Sequence, residues 1–328
     1  MFVFYLLVSF IYAQSYVDFY ENNLQVQPHP EENYYFLEDI HETLLPLVKE
    51  GKIKAFDIGK TVENRPIWAF EVHKKGFHIR KRIFVFAALH AMEWISTESA
   101  MELLLRLSEH PLEGVSFVIV PVVNIDRRLL VERELREGLR KYRRHNSNNV
   151  DLNRDFEINR EATAIWRHIF PYRYATSPEP LSQPESKALD QLVQDVPFDF
   201  IVSLHSFGGY IYYPWAGKYR RAQDYHKLHE VGIVMKQGMN TTHPYQVKQL
   251  SHWCFLFRIH GSEIDHFYGK YNIPSFLIEL THTGFLWYKP STWRDDFRMY
   301  NPITPKKHSQ IGADALFALG IYAKKLDE

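Results

Sequence analysis

Four segments constrain this chain more than anything else in it: RIFVFAAL, VSFVIVPVV, FDFIVSL and PSFLIEL. Each is a short, nearly uninterrupted apolar run, the pattern of a strand buried on both faces. A sheet of such strands must be covered on each side. IKAFDIG and PIWAFEVH read as two further strands. Apolar residues fall at helical spacing over residues 35–50, ending near Gly51, and in WISTESAMELLLRLSEH after the third strand. Two more helical patterns are PESKALDQLVQDV, before FDFIVSL, and the closing SQIGADALFALGIYAKKLDE. Strands alternating with helices predict α/β architecture: a single domain with a central mixed, mostly parallel twisted sheet flanked by helices.

The chain's 328 residues bury a large core without help from disulfides, and its one cysteine, Cys254, excludes an intramolecular one. Cys254 sits in the apolar stretch WCFLF and reads as packing, since such surroundings raise a thiol pKa. Lys+Arg and Asp+Glu both number 39, so no net field draws the chain to nucleic acid or an anionic membrane. The N-terminal MFVFYLLVSFIYA is too short to span a bilayer and suits a signal peptide over residues 1–13, despite lacking a basic residue ahead of the apolar run. The expected product is a secreted protein with no membrane attachment once the signal is removed. The sequon Asn240-Thr241-Thr242 agrees with export.

Chemistry enters at the strand ends. RIFVFAAL runs directly into His90-Ala91-Met92-Glu93, and FDFIVSL ends in His205. Parallel strands that each deliver a polar residue at the C-terminal end place those residues at one rim of the sheet, where α/β folds build their sites. Two imidazoles and one carboxylate leave a coordination position open, as a catalytic zinc requires. A histidine and glutamate three residues apart are common by chance, but spectators directly after buried strands are usually apolar. Glu279, in the strand PSFLIEL, is a carboxylate among hydrophobic neighbours and needs a purpose or a partner there. Beside a metal-activated water it can serve as general base.

HAMEWIS (90–96), PVVNID (121–126), LRKYR (139–143), VDLNRDF (150–156), SQPESKA (182–188), SLHSF (203–207), EID (263–265) and IELTHTG (278–284) follow one another in an order that resembles the zinc metallocarboxypeptidases of the A/B type. The resemblance covers residues 34–325, after a short N-terminal extension over 14–33. It implies a carboxypeptidase-like α/β/α fold and one zinc per chain on His90, Glu93 and His205. It also implies hydrolysis of the C-terminal peptide bond, with peptide or protein C-termini as substrate. By the same resemblance Asp151 orients His90, Arg140 stabilises the oxyanion, Asn153 and Arg154 hold the substrate's terminal carboxylate, and Glu279 is the base.

Departures from that pattern set further expectations. Met92 stands where the family usually has an arginine, and Phe257 where a mobile tyrosine caps the substrate carboxylate. Each removes a polar contact worth about 1.5–3 kcal/mol. Ile264 matches the base of the specificity pocket and implies apolar or aromatic C-terminal residues, with Ile259 and Leu277 making the pocket shallower. A one-residue change of register would put Glu263 there and reverse the preference. Family-like sequence begins almost directly after the signal, which implies synthesis without a zymogen stage. Two other readings remain open: a zinc-holding protein that binds peptide C-termini with little turnover, and a zinc deacylase of small acylated amino acids.

Overall fold

A computed structural model describes residues 15–21, 23–161, 166–169, 176–242, 245–253, 257–282 and 295–326. The strands are β1 (Lys54–Lys60), β2 (Pro66–His73), β3 (Lys81–Ala87), β4 (Val115–Val120), β5 (Phe200–Ser206), β6 (Tyr210–Tyr213), β7 (Gln246–Gln249) and β8 (Ser275–Leu280). They form one sheet in the order β1-β2-β4-β3-β5-β8-β6-β7. The centre is parallel, through the β4/β3, β3/β5 and β5/β8 pairs, and antiparallel pairings attach β2 and β6 on either side.

The apolar runs form the parallel centre because both faces of that part of the sheet are covered. Alternation along each strand divides the core in two. Ile83, Val85 and Ala87 of β3 join Val202 and Leu204 of β5 on one face. Phe84 and Phe86 join Ile201 on the other. The first face is covered by α2 (Trp94–Glu109), α5 (Tyr225–Gly238) and α7 (Lys306–Lys325). The second is covered by α4 (Pro184–Asp195) and α6 (Glu263–Tyr271). Each fully buried Leu, Ile or Phe contributes about 1.5–3 kcal/mol against solvent exposure.

Local signals explain the helix limits. In α1 (Leu37–Lys49), Leu37, Ile40, Leu44 and Val48 form the buried stripe, and Asp39 accepts a hydrogen bond from the Phe36 backbone at the helix start. The chain then turns at Gly51, whose φ of 65° favours glycine. The closing helix begins at Lys306, three residues before the expected Ser309. Another helix, α3 (Ile125–Arg136), is strongly charged yet faces inward: Arg128 is fully buried, pairs with Glu132 at 3.0 Å and lies over the Trp94 ring.

The N-terminal extension packs onto the domain. Tyr16, in a helical stretch over residues 15–21, is fully buried against Trp68 and Phe70, and its hydroxyl lies 3.0 Å from His41 Nδ1. Glu31 is also buried and receives Arg140 and Arg298. Among the described residues no helix is long and apolar enough to cross a membrane. The expected signal peptide at 1–13 and Cys254 lie outside the described residues.

Candidate metal centre and active-site cavity

The rim formed by β3, β5 and β8 brings the expected ligands together. After β3 the backbone turns sharply at Ala88, which holds φ at 51°, a conformation costly for a non-glycine residue. Hydrogen bonds on both sides hold that turn: the Ala88 amide donates to Ser96 Oγ, and the Asn124 amide donates to the Ala88 carbonyl. His90 follows, and Glu93 closes a further turn by donating its amide to the His90 carbonyl before α2 begins. His205 lies within β5, in register with Glu279 on β8.

His90, Glu93 and His205 are all buried, and one ligand atom from each lies within 4.8 Å of the others. His90 Nδ1 is 2.9 Å from Glu93 Oε1, His205 Nδ1 is 2.9 Å from Glu93 Oε2, and the two Nδ1 atoms are 3.1 Å apart. Behind the rings, His90 Nε2 meets Asp151 Oδ1 at 2.9 Å and His205 Nε2 meets Glu263 Oε1 at 3.2 Å. An ionised carboxylate can only accept, so each Nε2 carries the proton and each Nδ1 lone pair faces the cluster. Two lone pairs that close, beside a carboxylate, call for a positive charge between them. The electrostatics agree: burial would lower the His205 pKa, but Glu93 and Glu263 push it up to about 10. A proton bound that tightly marks the place of a cation, and nitrogen and oxygen donors with an open side suit zinc.

The surrounding charges are arranged to keep these groups in place. Asp151 also caps the short turn Leu152–Arg154 by accepting from the Asn153 amide at 3.0 Å. Burial would raise its pKa, but Arg144, Arg154 and His90 hold its carboxyl well below the usual range. Arg144 donates from Nε to Asp151 Oδ2 at 2.7 Å, and its Nη1 lies 3.7 Å from Glu93 Oε1. For Glu279 the balance goes the other way: burial first and Glu93 second push its pKa up to about 8, against His205 and Arg144. Its Oε2 is buried without a hydrogen-bond partner among the described residues.

A cavity of about 440 Å³ opens over this cluster. His90, Glu93, His205, Glu279, Arg144, Asn153 and Arg154 line its polar part. Tyr210, Tyr212, Leu250, Phe257, Ile259 and Leu277 line an apolar part. Arg154 and Asn153 are both buried, and Arg154 Nη1 donates to the Asn153 carbonyl at 2.6 Å. The peptide bond between Ser206 and Phe207, at the edge of the cavity, is cis.

Two expected residues fall elsewhere. Arg140 does not line the cavity: buried Glu31 takes its guanidinium at 2.7 Å and Asp295 lies 3.4 Å away. The cation that faces the metal ligands is Arg144, at the far end of the same basic run, anchored there by Asp151. Ile264 is one layer behind the wall, packed with Tyr212, Leu250 and Leu277. The adjacent acid does not reach the cavity either, because Glu263 turns to His205; Asp265 is consumed by the amides of Ala216 and Gly217. Met92 is buried beside the ligands, and its carbonyl accepts from Asn301 Nδ2 at 2.7 Å. Arg144 is not singled out by the sequence, and Glu263 is raised there only as an alternative base of the specificity pocket. A count back from Asp151 could have raised Arg144, but nothing in the sequence links Glu263 to His205.

Comparison with known proteins returns the same architecture. Residues 49–298 match the family described as zinc carboxypeptidase. Carboxypeptidase A6 of Mus musculus is 24% identical over 288 residues, which is 80% of this chain and 65% of the mouse protein. The chain thus spans just under two-thirds of that relative's length. Among solved structures, bovine thrombin-activatable fibrinolysis inhibitor, in complex with tick carboxypeptidase inhibitor, superposes with a TM-score of 0.73 at 20% identity. That likeness covers 90% of this chain and 99% of the bovine one. Carboxypeptidase A from Helicoverpa armigera gives 0.70 at 21% identity, over 88% of this chain and 73% of its own. Identities this low carry the fold alone, whereas the family match runs through most of the chain and through all three metal ligands. The chain belongs to the zinc carboxypeptidase family.

Proposed function

We propose that the chain is a secreted zinc carboxypeptidase that removes single residues, preferentially apolar or aromatic ones, from peptide C-termini. The observation that supports it most is Glu279: a half-buried carboxylate whose buried Oε2 has no hydrogen-bond partner among the described residues, in register with a metal ligand and lining the same cavity. Zinc, held by His90, Glu93 and His205, would supply Lewis-acid polarisation of a water and of the scissile carbonyl. Glu279 takes a proton from the attacking water and returns it to the leaving amine. Arg144, rather than Arg140, stabilises the oxyanion in this reading, which its 3.7 Å approach to Glu93 Oε1 supports. Asn153 and Arg154 hold the terminal carboxylate, Arg154 through its guanidinium fork. The apolar lining, from Leu250 to Leu277, then receives the last side chain, and among the described residues no acidic side chain lies in that apolar part to favour Lys or Arg. Secretion rests on the signal-like residues 1–13.

A second reading, a protein that holds peptide C-termini with little turnover, is favoured by Met92 and Phe257. Neither offers a hydrogen bond to a substrate carboxylate. Mass spectrometry decides between the two, using peptides that differ only in their last residue, the zinc-loaded protein and Glu279→Gln. Loss of one C-terminal residue by the unmutated protein alone supports the peptidase. Intact peptides with zinc bound would favour the binding protein.

A further inference from the structure

We propose that Glu263 is the positioning residue of the second histidine ligand, holding His205 as Asp151 holds His90. The two rings are supported from separate elements. Asp151 comes from the turn at 151–154, while Glu263 is the first residue of α6, which packs under the sheet. Glu263 has no exposed surface, and one oxygen lies 3.2 Å from His205 Nε2. Its second oxygen accepts from Ser262 Oγ at 3.1 Å, and its amide donates to Asn153 Oδ1 at 3.4 Å. The carboxylate is therefore fixed in one orientation and tied to the residue proposed to hold the substrate carboxylate.

Burying a carboxylate completely is costly unless it is paired, and here its charged-state partner is His205. Its position at a helix N-terminus favours the negative charge. A backbone carbonyl could have accepted the same proton. A carboxylate does more: it fixes the tautomer that turns Nδ1 toward the cluster and raises the ring's basicity as a ligand. Around the three ligand atoms, the carboxylates of Glu93, Asp151 and Glu263 outnumber the guanidiniums of Arg144 and Arg154 that line the same cavity, and the net negative charge favours a bound cation.

The inference depends on the metal site and not on peptidase activity, so it is tested without substrate. Zinc affinity is measured on the full chain by competition with a chromophoric chelator, for the unmutated protein, Glu263→Gln and Glu263→Ala. Expected is a loss of about 10-fold for Gln, which keeps an acceptor, and up to about 100-fold for Ala. The rise in Tm on adding zinc should shrink in the same order, whereas a merely structural role would lower Tm equally with and without zinc. Histidine-selective nitrogen NMR of the unmutated zinc protein should show His205 protonated at Nε2 and ligated through Nδ1. Folded variants with unchanged zinc affinity, or His205 bound through Nε2, would overturn the assignment. Should Glu263→Ala fail to fold, the isosteric Gln variant and the NMR of the unmutated chain still decide it.

Discussion

One guanidinium separates two readings of the basic run RKYRR. Arg140 and Arg144 are chemically identical, and only their partners tell them apart: Glu31 takes the first and Asp151 the second. If the chain hydrolyses peptides, Arg144→Ala should lower kcat by about 100- to 1000-fold, the usual cost of losing an oxyanion donor. Arg140→Ala should leave kcat within a few-fold. Steady-state kinetics on one good substrate compares them, and equal losses would contradict the assignment. Glu279 carries a second expectation. As a base it acts ionised, so kcat/KM rises with pH through its pKa. Burial and Glu93 push that pKa up to about 8 in the absence of a cation. A bound divalent cation offsets Glu93 and favours the carboxylate, so the acid limb of the pH profile should have its midpoint below 8; a midpoint at or above 8 would refute this. The residues that follow buried strands or stand in VDLNRDF were legible because neighbouring sequence marks them. The contact of Glu263 with His205 and the pairing of Arg140 with Glu31 were not, since each depends on a partner far away in the chain.

At the scale of elements, the buried parallel strands and the helices with an apolar stripe could be read directly. The helices at 125–136, 225–238 and 263–271 and the strands β6 and β7 could not. In α3 the inward face is a buried ion pair rather than a stripe, and β7 reads QVKQ, four mostly polar residues that gain their role only by pairing with β6. Close helix packing was equally silent. Gly238 ends α5 where a Cβ would lie 2.3 Å from Ala318 Cβ and 3.0 Å from the Asp314 carbonyl of α7. Gly238→Ala should therefore cost about 1–3 kcal/mol by forcing the two helices apart. Urea unfolding measures it, and unchanged stability would show that the contact relaxes freely.

For the whole molecule, the metal centre ties together the turn after β3, the strand β5 and, through the carboxylates behind the rings, the 151–154 turn and α6. Chelation should lower Tm, and the size of the drop should depend on pH in a defined direction. Metal-free His205 has its pKa raised from 6.5 to about 10, so its stabilising proton is fully effective below 6.5 and lost as pH rises through 10. Zinc needs the neutral ring, so its binding weakens in acid. The stabilisation by zinc should thus be small near pH 5.5 and grow toward pH 9, as calorimetry with and without chelator would record. An increment independent of pH would count against both assignments.

Tyr16 bears on how the chain can be processed. Its ring is a stopper seated between β2 and α1, and it lies three positions beyond Ala13, where the signal-like segment ends. A protease that cuts after Ala13 leaves the stopper in place. One that advances past residue 16 pulls it out and uncovers the aromatic faces of Trp68 and Phe70, a patch that would stick to other chains. Any processing at this end would therefore have a narrow margin, and successive N-terminal truncations should pass from harmless to aggregating within a few residues.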